Sequence, residues 1–406
     1  MHQIGEKVMP ATIERWRGST LLLIILGVLL FWYMPVIASA EGEGDNWIQR
    51  QAKELPTDQV ETYWQQLMKE YGGFFPDQKL PSFMDMLLQQ DQSFSLKAGL
   101  SGLMRYMWHE VLYNGHILVT IVLLSIFSMI LETLQTAFER KQVSKVAYSI
   151  CYMVILVLAI NSFHLAITYA TNAISGMIDF MMAMVPLLFT LLASLGNAVT
   201  VTVTHPLVVF MVHAVGTAVH TVVFPLLFFS AVLHIVSSLS DKYKLTQLGN
   251  LLRTVSMALL GVLLTVFLGV ISVKGIAGSV ADGVTLRAAK YLTGNFVPVV
   301  GKVFADATDT VISASLLVKN SIGLVGVIIL LFLCAFPAIK IITLALIFNL
   351  AAAVMQPLGD SPVISCLETI GKSMLYVFAA LAAVGMMFFL AITIMLTAGN
   401  ITVMMR

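Results

Sequence analysis

Residues 321–356, SIGLVGVIILLFLCAFPAIKIITLALIFNLAAAVMQ, form an apolar run too long for one ordinary membrane crossing. A spanning helix needs about 20 apolar residues to match a hydrocarbon core of about 30 Å. As one straight helix this run would reach about 50 Å. It must tilt strongly, kink or divide. Pro337 offers the break, because proline removes a helix hydrogen bond and clashes with the turn before it. A second long run, 206–238, poses the same problem around Pro225. Four runs of ordinary length flank them, at 116–138, 146–168, 254–273 and 373–398.

Composition leads to the same place. Of 406 residues, 58% are hydrophobic and 11% charged, with a net charge of +1. Soluble domains carry roughly 25% charged residues. So few charges cannot cover a water-soluble surface of this size, so lipid is the expected solvent for most of the chain. The charge balance excludes an overall basic nucleic-acid binder. Cys151, Cys334 and Cys366 lie in or beside apolar segments and read as small buried hydrophobes.

The N-terminus reads as a signal peptide over 1–40. Lys7, Arg15 and Arg17 precede an apolar run from Leu21 to Ile37, and Ala38-Ser39-Ala40 ends it in a small-x-small pattern. Residues 41–115 follow with 11 acidic and 6 basic residues, a balance that fits export. Within them Asp58 and Glu61 have capping-box spacing, and Val60, Tyr63, Trp64, Leu67 and Tyr71 share one apolar helical face that ends at Gly72-Gly73. A second short helix is expected after Ser82. A third carries the stripe Leu96, Leu100, Leu103, Met104, Met107 and Val111, which suits intramolecular packing or the membrane surface.

The prolines suggest an internal repeat. Val185-Pro186 precedes Phe224-Pro225, and Val297-Pro298 precedes Phe336-Pro337, with an offset of 112 between copies at both. The same offset carries the polar stripe Thr190, Ser194 and Asn197 onto Lys302, Asp306 and Asp309. The expected fold is therefore all-α: a polytopic helical membrane protein with an internal repeat, broken or re-entrant helices and a small exported helical segment. Its parts are a signal peptide (1–40), an extracytoplasmic helical segment (41–115), a first transmembrane hairpin (116–170), and repeat copies at 171–277 and 278–406. The basic turns 139–145 and 239–253 read as cytoplasmic.

Sites of chemistry are scarce. No phosphate-binding loop and no GxGxxG occurs, so the chain cannot by itself be an ATP-driven pump. No catalytic residue, cofactor or metal is expected. His205, His213, His220 and His234 lie within one apolar stretch, and His213, Thr217, His220 and Thr221 share a helical face. They lack metal-ligand spacing and a nearby carboxylate, so interhelical hydrogen bonding is the expectation. Glu132 and Asp179 stand out as acids in apolar surroundings. A candidate polar path runs through Asp179, Thr190, Ser194, Asn197, His213 and His220. The richest candidate surface is 278–320, with Asp282, Arg287, Lys290, Pro298, Lys302, Asp306 and Asp309. Broken helices at equivalent points of a repeat mark the substrate region of many transporters. An interfacial helix pair or a subunit contact would use the same pattern.

The whole organisation resembles the stage III sporulation protein AE family of endospore-forming bacteria. The likeness rests on length, on Ala38-Ser39-Ala40, on Gly72-Gly73-Phe74-Phe75-Pro76, and on Ala281-Asp282-Gly283 through Asn295-Phe296-Val297-Pro298 to Gly301 and Asp309. It implies a non-enzymatic integral member of the channel complex between mother cell and forespore. The implied setting is the mother-cell side, in the outer forespore membrane, with 41–115 in the intermembrane space. The implied partners are the other stage III A-operon proteins, including the AA ATPase and the AG and AH ring-type proteins, and stage II protein Q. Asp282, Arg287, Pro298, Lys302, Asp306 and Asp309 carry over as a partner surface. The alternative is a permease-like subunit moving a small solute, energised by a separate ATPase. A transporter should turn the 190/194/197 and 302/306/309 stripes inward onto a cavity, and a scaffold should turn them outward.

Overall fold

The computed structural model describes residues 57–75, 96–137, 141–239, 244–296, 300–358 and 362–404, all within one unit, Asn46–Arg406. The signal peptide, the helix expected after Ser82, and Pro298 lie outside the described residues. So do the side chains of Glu132, Lys290, Lys302, Asp306 and Asp309.

Every regular element among the described residues is helical. Helix α1 (Asp58–Tyr71) is followed by a 3-10 turn, Gly72–Phe74. Then come α2 (Leu96–Ala137), α3 (Lys141–Ser194), α4 (Ala198–Ala218), α5 (Phe224–Leu239), α6 (Thr246–Phe296), α7 (Val300–Met355) and α8 (Pro362–Met404). A π-helical turn, Val219–Val223, joins α4 to α5. Among the described residues six stretches are long and apolar enough to cross a membrane: Lys97–Leu131, Val146–Ser194, Ala198–Ser238, Thr246–Ala288, Ser315–Met355 and Pro362–Ile401.

Side-chain pairings give the directions. Along α7 and α8, Lys319 meets Asn400, Gly323 meets Leu396, Cys334 lies at Gly385, and Asn349 faces Gly371. One number rises as the other falls, so these helices are antiparallel. The α4–α5 pair runs antiparallel to α6, from Thr200 against Gly278 to Ser230 against Gly249. Helices α6 and α8 run parallel, through Arg253–Tyr376, Phe267–Phe388 and Gly275–Ile394. Glycines set several of these distances. A methyl on Gly278 would sit 2.7 Å from Thr200 Oγ1 and 3.0 Å from its Cα, and one on Gly326 would sit 2.3 Å from Met184 Cε. Lipid tails are as apolar as leucine, so close packing of this kind replaces the hydrophobic effect as the force between spans.

The two prolines behave differently from each other. Pro337 lies inside α7, which continues through it. Pro225 is the second residue after the π turn, and Ser256 Oγ donates to the Val223 carbonyl there at 3.1 Å. Proline-associated π turns are a known way to absorb a lost backbone donor. The helix ends do not keep the 112-residue offset: Ser194 and Phe296 are 102 residues apart, and Leu239 and Met355 are 116 apart.

Helix α1 buries Val60, Trp64, Leu67 and Tyr71, with Tyr63 half-buried, as its periodicity predicts. The capping box does not form. Thr57 holds the N-cap position with helical dihedrals and no side-chain cap bond, so Asp58 and Glu61 both fall in the first turn. There their charges still suit the positive end of the helix. The α2 stripe is split: Leu100 and Met104 are exposed, while Leu103, Met107 and Val111 are half-buried. Trp108 and Leu112 are exposed as well, whereas Gly102, Tyr106, Glu110 and Asn114 face the bundle. Position 102 must be small, because the Phe75 ring packs directly against it. The exposed apolar side is left for lipid.

Candidate functional site

Two polar loci stand out in an otherwise apolar bundle. The first is at the α3–α4 turn. Helix α3 ends at Ser194, the chain reverses through Leu195-Gly196-Asn197, and α4 begins at Ala198. Gly196 has φ 86°, the left-handed region that favours glycine. A helix start leaves its first N–H groups without partners. Here Asp282, from α6, supplies them: Oδ1 accepts from the Val199 N–H at 2.8 Å and Oδ2 from the Thr200 N–H at 2.9 Å. Asp282 is 2% exposed. A carboxylate at a helix N-terminus is stabilised by both hydrogen bonds and the macrodipole.

Lys319 forms the counterpart on the other side of the turn. It is fully buried, and Nζ donates to the Leu396 carbonyl at 2.7 Å and to Asn400 Oδ1 at 2.8 Å, near the C-terminal end of α8. A cation suits that end of a helix. A methyl on Gly399 would touch both Lys319 Nζ and Leu192, so the ammonium lies beside the last turn of α3. The two buried charges therefore each neutralise a helix end. This chemistry holds the hairpin tip against α6, α7 and α8. Asn197, Thr200, Ser279 and Ser315 are buried at the same end.

The second locus lies between α1, α3 and α7. Tyr71 stacks on Phe336 with ring centroids 3.8 Å apart and planes 4° from parallel, and Tyr106 meets the same ring edge-on at 5.0 Å. Tyr63 contacts Phe180 edge-on at 5.6 Å. Beside this contact is a cavity of about 370 Å³ whose lining includes Tyr63, Gln66 and Glu70 of α1, Tyr169, Asn172 and Gly176 of α3, and Phe332, Pro337 and Lys340 of α7. Lys340 is half-buried, 5.1 Å from the Tyr169 ring centroid and 6.0 Å from that of Tyr71. Among the described residues no carboxylate lies within 4 Å of its Nζ. Burial, then the Glu70 and Glu110 carboxylates, push the pKa of Tyr71 far up. Burial, then Asp179, raises that of Tyr63.

The sequence-chosen residues scatter. Asp282 is the cap just described, and Arg287 is exposed on α6. Asp179, Thr190 and Ser194 are exposed on α3, the two hydroxyls bonding back to Pro186 O and Leu191 O of their own helix. Asn197 is buried in the turn. His213, Thr217, His220 and Thr221 all face outward. His234 does bridge helices: Nδ1 lies 2.7 Å from Ser230 O, and Nε2 lies 2.9 Å from Arg253 Nη2 and 3.0 Å from Asn250 Oδ1. His205 packs edge-on to Phe189 at 5.3 Å. Sequence reasoning missed Lys319, Lys340 and Glu110. Their signal was available, since an ionisable residue inside a spanning run is costly enough to demand a reason. Among the described residues no group of three His, Cys, Asp or Glu could hold a metal ion.

The comparisons with known proteins agree on one family. Residues 78–399 match the family described as Stage III sporulation protein AE. The chain is 53% identical over 358 residues to Stage III sporulation protein AE of Bacillus subtilis (strain 168), covering 88% of this chain and 90% of that one. No solved structure matches. Matched across most of its length by both comparisons, the chain belongs to the stage III sporulation protein AE family.

Proposed function

We propose that this chain is a non-enzymatic membrane component of the channel complex between mother cell and forespore, needed for endospore development. One observation carries the choice between scaffold and transporter. His213, Thr217 and His220, on α4 and its π turn, are exposed, as are Thr190 and Ser194 on α3 and Arg287 on α6. Asn197 is buried, and the side chains of Lys302, Asp306 and Asp309 lie outside the described residues. A polar group facing lipid is costly, so the outward His213, Thr217 and His220 within a spanning stretch call for protein neighbours. The buried charges Asp282 and Lys319 are consumed in holding the helices together.

In this reading the chain sits in the mother-cell-side membrane, the outer forespore membrane. The start of α3 and the start of α6 face the mother-cell cytoplasm, and α1 faces the intermembrane space. Basic residues at those helix starts, among them Lys141, Lys145, Lys244 and Arg253, support this orientation. The neighbours are other stage III A-operon proteins, the AA ATPase and the AG and AH ring-type proteins among them, and stage II protein Q. Arg287→Glu in sporulating cells tests the docking role. Loss of co-purification with those partners, at normal level and thermal stability of the variant, is expected. Normal co-purification with lost solute passage between the cells would instead establish the permease reading. A cysteine replacing Gln65 should label from outside and one replacing Lys244 only after permeabilisation. The reverse pattern overturns the orientation.

A further inference from the structure

We propose that the cavity around Lys340 binds a small zwitterion of amino-acid size, its carboxylate on the Lys340 ammonium and its ammonium on the Glu70 side. This inference stands independently of the docking role above.

Three observations carry it. The first is the state of Lys340. Its helix is apolar on either side, from Leu330 to Pro337 and from Ile341 to Ile347 apart from Thr343. A half-buried ammonium in such a helix needs an anion, and among the described residues none is within 4 Å. It touches instead the faces of Tyr71 and Tyr169. Cation–π contacts hold the charge in place without neutralising it, so the cation remains able to bind a carboxylate.

The second is size and lining. The cavity of about 370 Å³ lies at the small end of the range for small-molecule sites, roughly 300–1,000 Å³. Its walls are aromatic and apolar at Tyr63, Tyr71, Tyr169 and Phe332, with the amides of Gln66 and Asn172 among them. That is the usual mixture: apolar area for a side chain and a few polar groups to orient it.

The third is the opposite charge on the other wall. Glu70 of α1 lines the same space, and Glu110 of α2 is buried close enough to raise the Tyr71 pKa together with Glu70. A lone anion would gain from Lys340 but be repelled by these acids. A molecule bearing both charges gains from each wall. Side chains of ordinary amino acids would then lie against Phe332 and Tyr169.

Full-length protein in lipid nanodiscs provides the test, with L-leucine as the probe and calorimetry as the readout. N-acetyl-L-leucine lacks the ammonium and L-leucinamide lacks the carboxylate. Saturable L-leucine binding is expected, with a dissociation constant between about 10 µM and 1 mM. Both analogues should bind about tenfold more weakly or worse. Lys340→Met should abolish binding, and Glu70→Gln should weaken L-leucine without weakening the N-acetyl form. If Lys340→Met fails to fold, Gly176→Leu replaces it. A Cβ on Gly176 meets nothing within 4 Å, so this variant fills the cavity from an open helix face and should block binding in a folded protein. Absence of saturable L-leucine binding to the wild type overturns the proposal. So does binding that persists in Lys340→Met or Gly176→Leu. Equal affinity for L-leucine and N-acetyl-L-leucine also overturns it, in favour of a lone carboxylate such as an acidic partner side chain.

Discussion

Replacing Asp282 tests the architecture at its most constrained point. Its carboxylate accepts two backbone N–H bonds, at 2.8 and 2.9 Å, from the first turn of α4, and it is 2% exposed. Asp282→Ala leaves both donors facing a small void from which water is largely excluded. An orphaned buried donor costs about 1–3 kcal/mol. Loss of an N-cap side chain costs about 0.5–2 kcal/mol, and the lost charge–dipole attraction up to about 2 kcal/mol. These overlap, since each counts part of one interaction, so the expected loss is about 2–4 kcal/mol. Asp282→Asn keeps a single acceptor oxygen and should lose about half as much. Unfolding in mixed micelles with rising SDS, followed by circular dichroism, gives the free energies. Backbone hydrogen exchange locates the effect, which should concentrate at Val199 and Thr200. If Asp282→Ala unfolds within about 0.5 kcal/mol of the wild type, with those amides still protected, Asp282 does not hold the α3–α4 turn.

Three further outcomes follow from the same contacts. Gly278→Ala puts a methyl 2.7 Å from Thr200 Oγ1 and 3.0 Å from its Cα. The overpacking cost of about 1–3 kcal/mol exceeds the helix-propensity gain of at most about 1 kcal/mol, so the same unfolding assay should show a net loss. Tyr71 has its pKa raised on folding, so its contribution is fully present below the ordinary tyrosine value near about pH 10 and is lost as pH rises beyond it. Fluorescence of Trp64, in a variant lacking the other tryptophans, should report α1 loosening at alkaline pH in the wild type but much less in Tyr71→Phe. Spin labels on the exposed positions Val262 and Val284 of α6 should differ, the first quenched by oxygen in lipid and the second by a water-soluble nickel chelate.

Reading the sequence recovered the elements whose signal is local. The α1 face Val60, Trp64, Leu67 and Tyr71 is buried as its 3.6-residue period requires. The described residues of the spans 116–138, 146–168, 254–273 and 373–398 each fall on one helix, and Pro225 does mark an irregularity. What escaped depends on contacts far apart in the chain. Nothing near Asp282 reveals that its partners are 82 and 83 residues upstream. The direction of the α2 stripe could not be decided, because burial in a membrane protein does not follow hydrophobicity. Leu100 and Met104 suit lipid as well as they suit a core, and Gly102 is inside because it is small. Pro337 misled the reading in another way. Its missing N–H is tolerable when neighbouring helices pack around an otherwise continuous helix.

The lengths of the helices decide where the two polar loci sit. From Thr246 to Asp282 along α6, and from Lys319 to Met355 along α7, the chain rises about 54 Å each time. Even a tilt of about 40°, the upper end of what spanning helices adopt, leaves about 41 Å along the membrane normal. A hydrocarbon core is about 30 Å thick. With Thr246 and Met355 near one membrane face, Asp282 and Lys319 therefore stand at or beyond the opposite headgroups. Charges buried in protein at that level avoid the cost of charges facing lipid. Lys340 is different. It is about 22 Å of helix from Met355, inside the core thickness by the same measure. Its ammonium can be there only if the cavity beside it admits water or a ligand, and the docked α1, with its polar residues Gln66 and Glu70 on the cavity wall, is what makes that space polar. Helix α1 thus belongs to the membrane bundle in energetic terms, and it walls a half-buried cation that has no carboxylate within 4 Å among the described residues.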